Sequence, residues 1–452
     1  MDLTFSQPVV DAVCNRMGAV PVTDPHLARV DGLSQPVHTL YGGAQLFKVG
    51  ALAKLGTMAR EHFLLWAKDD QALVAIIEQQ KDQITPWSVV HESVARRLHV
   101  LPIEDFRIDF EDGYGARSSD EEDKDASRAA LSLAHELAAG VLPPSCGIRI
   151  KSFLPQVVQR SIRTLDIFMS QLLKATVGKL PSGFVVTLPK VTHKDQVGAL
   201  AELLGLIERR FSLPNCSIRI ELMIEGPEAL VTEHGTNPMR GFVSEAKGRC
   251  RGVHFGTYDY SASLDVTAEY QSMGHPACIH ALLTMKTSLH GSQVWLADGA
   301  TNVLPLPMHR EGGGDQPLTS AQIADNANQV RLAWQQSFRA VQNSLTLGFY
   351  QGWDLHPHQI GIRLIAHYAF FLRYLPAATV RIRNFLDRAA QATASGGIFD
   401  DAATGQGLLN FFIRALELGV ISDNHLQQAG ISREELKSRS FMSIVGGRRG
   451  VK

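Results

Sequence analysis

The chain has 452 residues, of which 45% are hydrophobic, so it can bury a core large enough for a barrel and an additional segment. Its 44 Lys and Arg residues balance 45 Asp and Glu residues to a net charge of -1, so the charge balance does not indicate a nucleic-acid or membrane-surface partner, since both need a basic excess. The chain shows no secretory signal pattern, and Arg363, His367 and Arg373 interrupt its most apolar stretch, 360–382. We therefore expect a cytoplasmic protein with no membrane and no nucleic-acid partner.

Short apolar runs rich in β-branched residues alternate with longer helical patterns along most of the chain. This alternation predicts parallel strands joined by crossover helices. Several runs are apolar throughout, as in strands that are covered on both faces. Eight strands are predicted, at residues 37–41, 106–110, 147–150, 184–188, 218–224, 252–255, 293–297 and 352–355. The predicted fold is therefore α/β, a (β/α)8 TIM barrel with a C-terminal helical extension.

The segments between the predicted strands carry helix signals. Acidic residues crowd the first turn of a helix that begins after Ser118 and ends at Gly140, where glycine tolerates the left-handed closing conformation. Further helices are predicted at 156–177, 193–211, 276–290 and 319–347, and the chain is helical from about 359 onward, with a helix at 403–418. We predict an N-terminal extension (1–35), a barrel that carries the metal site (36–365) and a C-terminal helical extension (366–452).

Polar side chains follow five of the predicted strands, at positions where a packed core would not need them. In a (β/α)8 barrel, the carboxyl ends of the strands form the active-site face, so we expect these side chains to converge. They are Asp109, Glu111 and Asp112 at the second strand, Arg149 at the third, Lys190 at the fourth, Glu225 at the fifth and Asp259 at the sixth.

Glu225 and Asp259 lie at adjacent strand ends and offer oxygen ligands without a Cys or His partner, which favours Mg²⁺ or Mn²⁺ over zinc. The five cysteines include no CxxC pair. A divalent ion chelated by a 2-oxo acid polarises its carbonyl and stabilises the enolate formed when a carbon–carbon bond breaks. Arg149 would bind the carboxylate or the oxyanion. Taken singly, each residue also has a structural interpretation, as a helix cap or a salt-bridge partner.

These residues lie in short segments that resemble the HpcH/HpaI aldolase and citrate lyase β-subunit superfamily, which includes malyl-CoA lyases and, more distantly, malate synthases. The matching segments are IDFEDG at 108–113 (family DLEDAV), KDASR at 124–128 (KxxAR), IRIKS at 148–152 (VRVNS), LPK at 188–190, MIE at 223–225, FGTYD at 255–259 (FGxxD), GWDLHPHQ at 352–359 (GxxxIHPxQ) and GIFD at 397–400 (GxMID). Lys151 stands where the family has Asn, and Asp112 stands where its aldolase branch has His.

The resemblance implies a Mg²⁺ site at Glu225 and Asp259, with substrate bound through Arg149. Glu111 and Asp112 would lie in or near the second layer of groups around the metal and contribute to substrate binding.

The resemblance also implies a catalytic role for the tail. Some relatives place a catalytic Asp there that a neighbouring subunit contributes, which makes Asp400 a candidate acid/base with Asp401 as its rival, and we expect a homo-oligomer. Lys190 is a further catalytic candidate. His356 and His358, on either side of Pro357, could bind a metal or belong to a loop that caps the barrel mouth.

The predicted function is a Mg²⁺-dependent (or Mn²⁺-dependent) carbon–carbon lyase of the retro-aldol or retro-Claisen type. It would cleave a 3-hydroxy acid or its CoA thioester and release a 2-oxo acid through a metal-stabilised enolate. Two alternatives stay open: a malate-synthase-like condensing transferase, whose metal residues would be nearly the same, and a non-catalytic barrel for binding or assembly. A small 2-oxo or hydroxy acid is the expected partner, and the sequence does not locate a CoA site.

Overall fold

The computed structural model describes residues 7–18, 34–77, 84–310, 317–387, 393–395, 398–400 and 402–449. Eight parallel strands form its centre: β1 (His38–Gly43), β2 (Asp105–Asp109), β3 (Ser145–Arg149), β4 (Phe184–Leu188), β5 (Arg219–Ile224), β6 (Cys250–Phe255), β7 (Trp295–Ala297) and β8 (Gly352–Asp354). Each strand from β1 to β6 pairs with the next, and β8 pairs with β1. A bridge from Ala297 to Gln351 joins β7 to the start of β8. The strands therefore close into the predicted (β/α)8 barrel.

The predicted strands and the observed strands agree to within two residues at each end. Both faces of most strands are buried, with helices outside and side chains inside. Continuous apolar runs were therefore the appropriate signal for these strands.

Helices surround the barrel. The first, α1 (Gln7–Gly18), precedes it, and the others follow the strands: α2 (Ala51–Trp66), α3 (Asp70–Ile77), α4 (Trp87–Val100), α5 (Ser119–Ala139), α6 (Val158–Ala175), α7 (Lys194–Arg210), α8 (Met239–Glu245), α9 (Thr257–Ser263), α10 (Pro276–Ser288), α11 (Ser320–Thr346) and α12 (Ile360–Asp387). Short 3-10 turns lie at Ala44–Leu46, Pro227–Ala229, Ala268–Tyr270 and Pro357–Gln359.

The ends of α5 follow from its sequence. Ser118 accepts a hydrogen bond from the Glu121 backbone N–H, and the Glu121 carboxylate accepts one from the Ser118 N–H. Gly140 closes the helix in the left-handed conformation, with φ of 69°. This reciprocal cap fixes where the loop after β2 must end, and that loop carries Glu111 and Asp112.

The chain after the barrel is mainly helical, as predicted. It contains α13 (Ala402–Glu417), α14 (Asp423–Ala429), α15 (Arg433–Lys437) and α16 (Phe441–Arg449), and α13 coincides with the predicted helix at 403–418. An antiparallel pair of short strands, β9 (Thr393–Ser395) and β10 (Ile398–Asp400), was not expected. The domain limits stay predictions, because α12 runs without a break across the proposed limit at residue 365. Within the described residues, no helix is both long and apolar enough to cross a membrane.

The interior of the barrel below the strand ends that form the site is charged, which was not predicted. Arg107 of β2 is fully buried, and its guanidinium contacts Asp105 of the same strand and Glu221 of β5. Arg251 reaches the same Glu221 carboxylate over 3.2 Å. A layer of Tyr41, Met223, Ala300 and Trp353 also lies buried and forms a separate apolar cluster. The Arg149 guanidinium packs on the Tyr41 ring, so this cluster forms the floor of the site described next.

Candidate metal centre and active site

The seven polar residues that the strand ends predict come together at the mouth of the barrel. Arg149 contacts Asp109, Glu111 and Asp112, and Lys190 contacts Glu111, Asp112 and Asp259. The Glu225 carboxylate accepts the backbone N–H of Lys190 over 2.7 Å. The expected convergence of β2 to β6 is therefore observed.

Asp109 holds Arg149 in place. Its two carboxylate oxygens accept hydrogen bonds from Nε and Nη2 of Arg149, at 2.7 and 2.6 Å. They also accept hydrogen bonds from the backbone N–H groups of Glu111 and Gly113. Burial alone would raise the pKa of Asp109, but the adjacent Arg149 and the two N–H donors hold it below its usual value. Asp109 is thus an ionised anchor for Arg149.

Because Nε and Nη2 of Arg149 bind Asp109, the remaining nitrogen, Nη1, faces the site. Its Nη1 lies 3.0 Å from Glu111, 3.3 Å from Asp112 and 3.7 Å from the sulfur of Met223. The guanidinium carbon lies 4.9 Å from the centre of the Tyr41 ring. Arg149 therefore has one donor group directed at the site, and its position is fixed from two sides.

Glu111 lies between the two cations of the site. Its Oε1 accepts Lys190 Nζ over 2.8 Å, and its Oε2 lies 3.0 Å from Arg149. Burial raises the pKa of Glu111 to about 7, and Asp112 adds to the rise while Arg149 and Lys190 oppose it. A carboxyl group whose pKa is near neutrality can exchange a proton at physiological pH.

Glu225 is buried, with 4% of its surface exposed. Oε2 is bound by the Lys190 N–H, whereas Oε1 is buried and has no hydrogen-bond partner among the described residues. Burial raises the pKa of Glu225 to about 8, and the nearby acids Glu111 and Asp259 add to the rise. The cations Arg149 and Lys190 oppose it. An unpartnered buried carboxylate oxygen is unfavourable, and a cation would satisfy it.

Gly256 makes room for this carboxylate. A Cβ atom at residue 256 would lie 2.4 Å from Cγ and 2.8 Å from Oε1 of Glu225. Because contacts that short do not occur, any other residue here would displace Glu225. The glycine that follows β6 in the FGTYD segment therefore has a role in the site.

Three carboxylates lie close enough together to bind one cation. Oxygens of Asp112, Glu225 and Asp259 all lie within 4.8 Å of one another. Glu225 is buried, whereas the side chains of Asp112 and Asp259 are 54% and 44% exposed, so the ion would also face solvent or substrate. These all-oxygen ligands suit Mg²⁺ or Mn²⁺. The residues fit the predicted metal, and Asp112 joins Glu225 and Asp259 as a candidate ligand.

The charges of the site also favour a cation. Five carboxylates, Asp109, Glu111, Asp112, Glu225 and Asp259, face only two cationic side chains, Arg149 and Lys190. With all groups ionised, the sum of -5 and +2 is -3. Bound divalent ions relieve such an excess in many oxygen-rich sites.

Three other residues that the sequence analysis singled out, Lys151, His356 and His358, lie apart from this group. Lys151 donates to the Phe110 carbonyl and to Glu122, so it supports the loop after β2. The His358 ring stacks on His62 at 4.0 Å and meets His356 edge-on, and burial lowers the pKa of all three imidazoles. Among the described residues, these histidines belong to no group of three or more His, Cys, Asp or Glu side chains that lie close enough together to hold a metal ion. Such packing fits the predicted cap over the barrel mouth.

The tail residues can be described only in part. The backbone of Asp400 lies in β10 opposite Thr393, and Asp401 lies outside the described residues. The acid/base role of Asp400 therefore stays a prediction.

Comparison with known proteins identifies a family. The family described as "Domain of unknown function (DUF6986)" matches residues 28–444. The chain belongs to this family. No curated protein matches the chain.

The chain is similar to several solved structures, and the fold likeness rests on a citrate lyase structure. A citrate lyase from Burkholderia xenovorans LB400 is similar with a TM-score of 0.53 and 16% identity, over 75% of this chain and 91% of that one. Two Haloferax volcanii malate synthase structures also match. The lead(II) complex has a TM-score of 0.40 and 16% identity, over 77% of this chain and 90% of that one. The pyruvate/acetyl-CoA ternary complex has a TM-score of 0.42 and 14% identity, over 94% and 100%. At 16% identity, the likeness to the citrate lyase concerns the barrel fold.

Proposed function

We propose that this DUF6986 protein is a Mg²⁺-dependent carbon–carbon lyase that releases a 2-oxo acid from a 3-hydroxy acid or its CoA thioester. The observation that carries the proposal is the group formed by Asp112, Glu225 and Asp259 beside Arg149. Fold likeness to a citrate lyase and the matching motif segments add support. On this basis the chain is a divergent member of the HpcH/HpaI and citrate lyase superfamily.

Asp112, Glu225 and Asp259 would hold the divalent ion. When bound, such an ion supplies Lewis-acid polarisation of a carbonyl and stabilises negative charge that develops on its oxygen. Arg149 presents Nη1 to the site, where it can bind the carboxylate of the substrate. The apolar floor of Tyr41, Met223 and Trp353 excludes water from below, which strengthens these polar contacts.

An assay with purified protein tests the reaction class. Candidate 3-hydroxy acids and their CoA thioesters are incubated with Mg²⁺ or with EDTA, and release of a 2-oxo acid is measured by a coupled reductase. We expect turnover of at least one substrate with Mg²⁺ and none with EDTA. If 2-oxo acids are instead consumed, and only when acetyl-CoA is present, the reaction is condensation and the lyase proposal is wrong.

We also propose that Asp400 provides acid/base chemistry, as the GIFD segment suggests. The change Asp400→Asn is expected to lower kcat by about 100-fold or more, the usual contribution of a general acid or base, while metal affinity changes little. Initial rates and Mn²⁺ titration measure the two quantities. Asp423→Asn, in the exposed pair with Arg433, is the control. An unchanged kcat in Asp400→Asn would remove this residue from the mechanism.

A further inference from the structure

Lys190 contacts the acidic residues of the site with both its side-chain ammonium and its backbone N–H. Its ammonium Nζ lies 2.8 Å from Glu111, 3.3 Å from Asp112 and 3.5 Å from Asp259. Its backbone N–H donates to Glu225 over 2.7 Å. Every carboxylate of the candidate metal group is therefore in contact with this one residue.

The backbone of Lys190 adopts a conformation that lysine normally avoids. Its φ is 52°, in the left-handed region where a side chain with a Cβ is disfavoured. The conformation persists because the residue turns its N–H toward Glu225 after β4 while its side chain extends toward Asp112 and Asp259. Strained backbone of this kind is concentrated at functional sites.

The position of the ammonium conflicts with that of a divalent ion. Nζ lies within salt-bridge distance of two of the three candidate ligands, Asp112 and Asp259. A lysine ammonium has three donors and one positive charge, so it can satisfy several carboxylates without a metal. A divalent ion bound to the same oxygens would repel it, because like charges a few ångströms apart interact unfavourably even in water.

We infer that Lys190 is a built-in counter-cation whose ammonium competes with the divalent ion for Asp112 and Asp259, and that metal binding displaces this ammonium. This inference rests on the proposed metal site. It makes Lys190 a positioning residue whose ammonium holds Asp112 and Asp259 close together. The displaced Nζ keeps Glu111 as a partner at the edge of the site, since Glu111 lies outside the group of candidate ligands.

The inference predicts that Lys190 weakens metal binding. Isothermal titration with MnCl2 is performed on the full-length wild type, on Lys190→Met, which removes the charge, and on Lys190→Arg, which keeps it. We expect Lys190→Met to bind Mn²⁺ at least about tenfold more tightly, because the repulsion that it removes exceeds the free energy of a tenfold change. Lys190→Arg should bind no more tightly than the wild type. Lys247→Met, at an exposed lysine whose ion pair is with Glu202, is the control and should change nothing.

A second measurement separates displacement from a general effect of charge. In crystals of the wild type soaked with MnCl2, we expect an anomalous peak between Asp112, Glu225 and Asp259. Lys190 Nζ should then lie beyond salt-bridge distance of Asp112 and Asp259. If Lys190→Met does not fold, Lys190→Gln replaces it in the titration, and the soaked wild-type crystals need no variant.

The outcomes distinguish the inference from the proposed function. If Mn²⁺ binds between the three carboxylates while Lys190 keeps its contacts, or if Lys190→Met and wild type bind Mn²⁺ equally, the counter-cation role is wrong and the metal site stands. If neither protein binds Mn²⁺ at these carboxylates, the proposed metal site is wrong and this inference is lost with it.

Discussion

The change Glu225→Gln is expected to weaken Mn²⁺ and Mg²⁺ binding by at least about 100-fold and to abolish metal-dependent turnover. The side-chain amide has nearly the shape of the carboxylate and can still accept the Lys190 N–H, but it loses the charge that the buried Oε1 directs at the ion. Mutation of groups that merely support metal ligands costs 10–100-fold in affinity, so loss of a ligand charge should cost more. Titration with MnCl2 and initial-rate kinetics measure the two effects.

The same variant should fold as well as the wild type. Burial and neighbouring acids raise the pKa of Glu225 to about 8, so an ionised Glu225 is unfavourable in the absence of a cation. We therefore expect the unfolding temperature of Glu225→Gln in EDTA to equal or exceed that of the wild type. Glu233→Gln, at an exposed acid in the loop after the same strand, is the matched control and should retain metal binding. Wild-type Mn²⁺ affinity in Glu225→Gln would exclude Glu225 as a ligand.

The barrel could be predicted because its signals are local. Each strand is a short apolar run between helical patterns, and such a run indicates a buried strand whichever segments pack against it. The position of the site follows from the same rule, since side chains at the carboxyl ends of parallel strands must converge. Arg149, Lys190, Glu225 and Asp259 were predicted in this way. Their association required only the order of the strands, which in this barrel is the order of the chain.

The geometry within the site was not predictable from the pattern. Asp112 was expected near the metal in a supporting role, yet it lies with Glu225 and Asp259 because of how the loop between β2 and α5 turns. Arg149 was expected to face substrate, yet two of its three nitrogens bind Asp109. Loop conformation and the division of donors among acceptors depend on contacts between distant segments, which spacing along the chain does not encode.

The buried charges of the lower barrel were also missed. Arg107 and Glu221 are 114 positions apart in the sequence and meet only because β2 and β5 face each other across the barrel. The available signal was the presence of charged residues in the middle of otherwise apolar strands, since such residues are rarely buried without a partner.

These buried charges provide a test of what holds the barrel together. Arg107, Asp105 and Glu221 each have 0% of their surface exposed. Arg107 donates to Glu221 at 2.6–3.0 Å and to Thr187 at 3.1 Å, and it also contacts Asp105. Removal of one partner from a buried ion pair leaves a charge that water cannot reach, which costs about 3–5 kcal/mol.

We therefore expect Arg107→Met to lower the free energy of unfolding by about 3–5 kcal/mol, measured by urea denaturation with the fluorescence of buried Trp295 and Trp334. The exposed pair of Arg433 and Asp423 supplies the control, since Arg433→Met should change stability by no more than about 0.5 kcal/mol. Adding Glu221→Gln to Arg107→Met should restore at least about 1 kcal/mol, because it removes a buried charge that keeps only the longer contact with Arg251. If Arg107→Met does not fold, Arg107→Lys carries the comparison.

The loss of stability in Arg107→Met should depend on pH in a defined direction. Burial would raise the pKa of Glu221, but Arg107 and its neighbours hold it well below the usual value, so the wild type gains stability above the unfolded-state pKa of Glu and loses it as the pH falls. Without Arg107, the ionised Glu221 keeps only His254 and Arg251 as stabilising neighbours. Its pKa should therefore rise, and the variant carries a cost at neutral pH that protonation relieves. The two free energies of unfolding should therefore converge as the pH falls toward about 4.3, the ordinary pKa of Glu, and below it. A difference that stays constant from pH 7 to pH 4 would mean that Arg107 stabilises the barrel by packing and not by its charge.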